Sequence, residues 1–326
     1  MLIDSIKTRV VGVDIAYAVT TYAIVDVRGN ILARETFPTQ DYPNINDFVA
    51  HLSESILLLA EQTCGYEKVR SVGIGSHSGN FLTGCIEYSA NMPWKGEVPL
   101  AAMLRDRTGL AVALANNSHV RALGEYTYGG AHGMQNFIVV TLGHGVGSCM
   151  FSNGRVYLGS GGFAGEIGHT CMTPDGRECT CGRKGCLEAY CSTRGIVQTA
   201  QELLDETAEP SLMRSLDHLS PRTIAACCDQ GDRLAIETYR RTGQVLGMSL
   251  ANYASVINPE AIFIAGGISL AGRWLFEPVD KTFEAHVFHN VQGRTKILAS
   301  SLSREDCDVL GASALAWKVK EYSLFK

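Results

Sequence analysis

Three things are missing from this chain of 326 residues. It has no surplus of basic charge: 28 Lys and Arg stand against 33 Asp and Glu, a formal net charge of -5, which argues against nucleic acid or an anionic membrane as the main partner. It has no long hydrophobic run free of charge. The apolar stretch from Val10 to Val27 carries Asp14 and Asp26, so it reads as buried strands and not as a membrane span. Nor is there a Pro-, Gly- or Ser-rich linker or a low-complexity tract, so two domains, if present, are expected to share a cleft and not a tether. The 46% hydrophobic and 19% charged residues suit a soluble globular protein, and the length allows two domains with cores of their own. Eleven cysteines, odd in number and irregularly spaced, together with the lack of a signal peptide, imply a reducing cytoplasm.

The run VVGVDIAYAVTTYAIVDVRGNILARETFP alternates and is β-branched, with Arg28-Gly29-Asn30 as a turn, and predicts two or three adjacent strands. Apolar residues at helical spacing, Phe48, Leu52, Ile56, Leu59 and Ala60, predict a helix started by Asn46-Asp47. Val69 to Ser76 reads as a strand, and Leu114 to Tyr128 as a strand end followed by a helix. From Phe137 the pattern begins again with an apolar strand, glycines at 143, 145 and 147, and a hairpin, which suggests two similar halves. Helices are expected at 192–205, 221–230, 232–256 and 309–322, and short strands at 262–265 and 296–299.

The densest chemistry lies between Gly165 and Glu188, GEIGHTCMTPDGRECTCGRKGCLE. Cys179, Cys181 and Cys186, with His169 ten residues before the first, supply the three thiolates and one imidazole of a closed tetrahedral zinc site. Gly182 and Gly185 let the loop fold back around a metal. The alternative is a set of ordinary unliganded thiols. Glu166 and Glu188 flank the ligands, and a metal that pins the loop would also aim these carboxylates.

GEIGH followed by CxCGxxGCxE resembles the signature of the ROK family of repressors, open reading frames and kinases. The resemblance extends over nearly the whole chain. It implies an α/β, two-domain actin-like ATPase (ribonuclease H-like) fold with a central cleft and a structural zinc loop. The implied domains are 1–120, with a C-terminal helix at 309–326 packing back on it, and 121–308, which carries the zinc loop. It further implies that Glu166, His169 and Glu188 hydrogen-bond sugar hydroxyls, with Asn116, and with Asn91 in SANMPW near the cleft. Gly143 and Gly145, and Gly266 and Gly267 in INPEAIFIAGG, match glycine loops that take nucleotide phosphates and adenosine. Asp14 matches an aspartate near magnesium.

Two segments depart from the family. Its first phosphate loop reads D-x-G-G-T, and here it is Asp14-Ile15-Ala16-Tyr17-Ala18. A tyrosine where a backbone amide must approach phosphate is expected to strain the turn by about 1 to 3 kcal/mol and to obstruct ATP. The catalytic segment N-D-x-N becomes Asn116, Asn117, Ser118 and His119. Asn117 thus replaces the aspartate that accepts the sugar hydroxyl's proton, a task worth roughly 10² to 10⁴ in rate. The bland role for Asn117 is helix N-cap. His119, His77 and His144 are weighed as substitute bases and read instead as solvated or hydrogen-bonded loop histidines, with His119 on a different helix face from residue 117.

The expectation is therefore a cytoplasmic sugar-kinase-like protein, a homo-oligomer such as a dimer. It binds a hexose or amino sugar, holds structural zinc, and has lost or strongly reduced kinase activity. The alternatives are an active ATP- and magnesium-dependent kinase, and a sugar-responsive regulator, for which no N-terminal helix-turn-helix precedes the first strand.

Overall fold

The structure, a computed structural model, describes residues 7–89 and 92–319; Asn91 and the end of the expected closing helix lie outside the described residues. The β-branched opening forms β1 (Arg9–Ile15), β2 (Val19–Asp26) and β3 (Ile31–Pro38). Helix α1 (Ile45–Thr63) follows, and it starts earlier than the Asn46-Asp47 signal suggests. Asn44 is the cap, its side chain accepting from the Asn46 amide at 2.8 Å, while Asp47 sits in the first turn. Next come β4 (Val69–Ser76), a small sheet of β5 (Gly79–Asn80), β6 (Cys85–Glu87) and β7 (Glu97–Val98), then α2 (Leu100–Thr108), β8 (Ala111–Asn116) and α3 (Asn117–Tyr128).

The second series opens with β9 (Phe137–Leu142), β10 (Val146–Ser152) and β11 (Arg155–Val156). After the cysteine-rich segment come α4 (Glu188–Cys191), α5 (Thr193–Glu206), α6 (Pro221–Asp229) and α7 (Arg233–Ile257). The chain then runs through β12 (Ala261–Ala265), α8 (Arg273–His286), β13 (Lys296–Ala299) and α9 (Cys307–Lys318).

These elements fall into two compact units. Among the described residues, one comprises 7–89, 92–133, Leu158–Ala164 and 301–319; the other comprises Met134–Tyr157 and Gly165–Ser300. In the first, the sheet runs β3-β2-β1-β4-β8, with an antiparallel hairpin trio on one side and parallel strands on the other. Alternation buries Val11, Val13 and Ile15 against Phe48, Leu52 and Ile56 of α1. Helix α9 covers the other face, where Val10, Ala23 and Val25 meet Val309 and Ala316. Ser71 Oγ donates to the Ala316 carbonyl at 2.8 Å, and Arg121 of α3 clamps Asp308 of α9 through both carboxylate oxygens.

The second unit repeats the plan as β11-β10-β9-β12-β13, with β9 parallel to β12 and β12 to β13. Its core joins Ile138, Val140 and Leu142 to Leu246 and Leu250 of α7 and Leu275 and Phe283 of α8. Among the described residues, no helix is long and apolar enough to cross a membrane.

Candidate functional site

The second unit brings the zinc-type donors together. His169 ends a short turn, Ile167–His169, and its imidazole joins the thiols of Cys179, Cys181 and Cys186 in a group whose donor atoms all lie within 4.8 Å of one another. His169 Nδ1 is 3.7 Å from Cys179 Sγ, and Cys181 Sγ is 3.7 Å from Cys186 Sγ. A short antiparallel ribbon makes this possible: Met172 N donates to Gly185 O at 2.7 Å, Leu187 N to Thr170 O at 3.0 Å, and Cys179 N to Arg183 O at 2.8 Å. Arg177 fastens the ribbon to α5. Its guanidinium donates to Gly195 O and Thr199 Oγ1 at 3.0 Å, pairs with Glu202, and lies 4.9 Å above the Tyr190 ring.

The thiols titrate apart. Burial pushes Cys186 up to about 12, and its sulfur neighbours push the same way. At Cys181 burial is the largest single effect and pushes upward, but hydrogen bonds from the backbone and side chain of Arg183 and from Cys179 and Cys186 together outweigh it and take it down to about 6. Three sulfurs and one imidazole nitrogen at this spacing fit the tetrahedral demand of a zinc ion.

Both flanking carboxylates lie close by. Burial raises the Glu166 carboxyl, His169 opposes the shift and Glu188 adds to it. Glu188 reaches two ways: Oε2 accepts from Val146 N at 3.0 Å, and Oε1 accepts from Thr180 Oγ1 at 2.8 Å. The turn between β9 and β10 passes beneath it. A Cβ on Gly145 would stand 2.6 Å from Glu188 Oε2, so a side chain there would push this carboxylate aside. Gly143 N closes the turn on Gly145 O at 3.0 Å, and Thr193 holds Gly143 O through its amide at 2.8 Å and its hydroxyl at 3.0 Å.

Gly266 follows β12 with φ +91°, and a Cβ there would meet Leu142 O at 2.2 Å; Gly267 next to it is exposed. The second and third glycine loops therefore touch through Leu142. His144 is exposed at the tip of its turn.

In the first unit, Asp14 sits one residue before the end of β1, its Oδ1 buried and without a partner. Burial raises its carboxyl to about 8, Asp308 adds to the rise, and Arg121 opposes it. The altered turn after it is not strained as expected. None of Ala16, Tyr17 and Ala18 has a positive φ. Ala16 N bonds Val19 O at 3.2 Å, and Thr39 fastens the turn through Ala16 O at 2.8 Å and Ala18 O at 3.1 Å. The backbone has relaxed into a form that any residue adopts, and Tyr17 is 55% exposed.

Asn116, not Asn117, is the N-cap of α3, accepting from Ser118 N at 2.9 Å. The capping role weighed for Asn117 thus belongs to its neighbour. Asn117 Oδ1 is instead buried without a hydrogen bond, close to Gly75. His119 is no loop residue but a helical one, 5% exposed, bonded to the backbone of Ala164 with Nδ1 shut away from any partner, and burial lowers its pKa. His77 is exposed.

Sequence reasoning missed Ser78, which takes φ +56° beside His77. A non-glycine residue held in that region is strained, and no sequence signal announces it.

Fold and site together define an actin-like, two-domain α/β protein, and the ROK family's sequence profile matches residues 10–319. Glucokinase from Halalkalibacterium halodurans is 33% identical over 95% of this chain and 94% of its own. Glucokinase from Thermotoga maritima is 31% identical over 95% of this chain and 97% of its own. The crystal structure of a ROK family glucokinase from Streptomyces griseus, in complex with glucose and AMPPNP, superposes with a TM-score of 0.78 at 29% identity, covering 95% of this chain and 100% of its own. The chain belongs to the ROK family.

Proposed function

We propose that this protein binds a hexose or an amino sugar and transfers a phosphoryl group to it slowly or not at all. The sugar reading rests on Glu166, His169, Glu188 and Asn116, all kept as the family resemblance requires. His169 turns Nδ1 toward the thiols, which leaves Nε2 to meet a hydroxyl. Glu188 Oε1 already accepts from Thr180 Oγ1 and Cys179 Sγ, whereas Oε2 accepts only from Val146 N and retains a lone pair that can take a sugar O–H. Zinc held by His169, Cys179, Cys181 and Cys186 would supply rigidity to the ribbon, and with it a fixed direction for Glu188.

The observation that carries the loss of activity is Asn117. Its buried, unpartnered amide oxygen stands where the family's aspartate accepts a proton, and an amide cannot hold that proton. Gly143, Gly145, Gly266 and Gly267 offer backbone to phosphate and adenosine. Asp14, with its orphaned Oδ1, suits magnesium in its oxygen, but the neighbouring Arg121 guanidinium weakens the negative field such a cation needs. Nucleotide is accordingly bound weakly.

An active glucokinase is the second reading. The unstrained turn at residues 16–18 and the two glucokinase relatives favour it. Calorimetric titration with a panel of hexoses, and separately with ATP and magnesium, together with a coupled turnover assay, decides between them. Sugar binding without turnover supports our reading; turnover at ordinary kinase speed overturns it.

A further inference from the structure

Cys171 lies outside the four-donor set yet directly across the ribbon from one member of it. The bonds Met172 N to Gly185 O and Leu187 N to Thr170 O flank Cys171 and Cys186 on either side. That pattern makes these two cysteines a non-hydrogen-bonded antiparallel pair, the close kind, with Cα atoms about 4.5 Å apart and side chains on one face. The separation lies within the span a disulfide bridges, about 4.4 to 6.8 Å. Cys171 Sγ already rests against the neighbouring glycine, 3.2 Å from where a Gly185 Cβ would be. Both thiols are free, Cys171 exposed and Cys186 buried.

We propose that Cys171 is a peroxide-sensitive thiol that withdraws Cys186 from the metal set. This rests on the zinc reading above. Hydrogen peroxide oxidises the Cys171 thiol to a sulfenic acid: sulfur loses two electrons, the O–O bond breaks, one oxygen stays on sulfur and the other leaves as water. The Cys186 sulfur then attacks the sulfenic sulfur. An S–S bond forms, the S–O bond breaks, and the departing hydroxide takes a proton to leave as a second water. The set falls from four donors to three.

Cys181 Sγ, 3.7 Å from Cys186 Sγ, is the competing partner. It is itself a ligand, as Cys186 is, so a Cys181–Cys186 link would take two donors from the set, whereas a Cys171–Cys186 link takes one. Leu187 and Glu188 follow Cys186 directly, so the switch acts on the carboxylate that holds the β9–β10 turn.

The test treats the purified protein with hydrogen peroxide. Released zinc is followed with a chromogenic chelator, and cross-links are mapped by mass spectrometry of a non-reducing digest. The expected result is one Cys171–Cys186 cross-link per zinc released. Cys171→Ser should bind zinc as before, form no such link, and release metal about tenfold more slowly. Release from Cys171→Ser at the unaltered rate, or a Cys181–Cys186 link in its place, overturns the proposal. Should the protein hold no zinc at all, the metal reading fails and the cross-link alone decides this one: its appearance supports the pairing, and its absence sinks it.

Discussion

Each half of the chain opens with a strand that turns back into its neighbour, and the two turns have fared differently. Between β9 and β10 the turn keeps Gly143 and Gly145, and the space a side chain would fill at Gly145 is taken by the Glu188 carboxylate. Between β1 and β2 the turn is Ala16, Tyr17 and Ala18, no residue needs a positive φ, and Tyr17 points largely into solvent. Yet the penultimate residues of β1 and β9, Asp14 and Thr141, share a feature: each leaves a buried oxygen without a partner. The comparison teaches that the two glycines of the β9–β10 turn stand differently: Gly145 is hemmed in by a neighbour, while Gly143 has open space where a side chain would be. A turn of this kind can carry side chains without strain, as Ala16, Tyr17 and Ala18 do.

The largest effect should come from the half that has changed. Asn117→Asp restores a titratable oxygen and should raise sugar-dependent ATP turnover by roughly 10² to 10⁴. A coupled assay checks this, and an unchanged rate would shift the defect to the turn at residues 16–18. In the other half, Gly266→Ala sets a Cβ at 2.2 Å from Leu142 O with φ at +91° and should destabilise the protein by roughly 3 kcal/mol in a denaturant titration. A loss below half that would mean this half, too, can relax around a lost glycine.

Asp14 gives a pH test of the same contrast. Its folded pKa, about 8, stands above the ordinary 3.8, so between those values the folded state keeps a proton that the unfolded state has shed. Stability from this group is therefore lost as pH rises from about 4 to about 8, by at most about 1.4 kcal/mol per unit. Asp14→Asn should flatten that slope when unfolding is compared at pH 5 and pH 8, and Thr141→Val in the other half should leave it unchanged. The smallest effect is expected from the pair Ala16→Gly and Tyr17→Gly. With no strain to relieve, they should cost about 1 kcal/mol through added unfolded-chain freedom while tightening ATP binding by calorimetry. A gain in stability would show that the native turn is strained after all.

Much of the fold was legible because the strands are apolar, β-branched runs bounded by turns, buried almost throughout in β1, β4 and β9. The run from Val10 announces β1 to β3, and the helical spacing from Phe48 announces α1. Helix α8 was not, because Pro278 lies inside it and reads as a breaker; it is carried by packing on α7, where Pro278 itself fills the space left by Gly243. The metal-type donors were legible from spacing alone, since the ribbon that gathers them is short and local. The burial of His119 was not: it depends on Ala164, 45 positions along the chain. The easing of the turn at Tyr17 was hidden likewise, since it depends on Thr39 reaching back from beyond β3.

Glu188 has a consequence beyond any ligand. One side chain grips Thr180 in the ribbon with one oxygen and the Val146 amide beside the β9–β10 turn with the other. It works as a tie-rod between two loops that share no backbone hydrogen bond across it. A Glu188→Asp change, one methylene shorter, keeps the charge yet cannot span both anchors, so the two loops should drift apart in their hydrogen-exchange rates even where no carbohydrate is present.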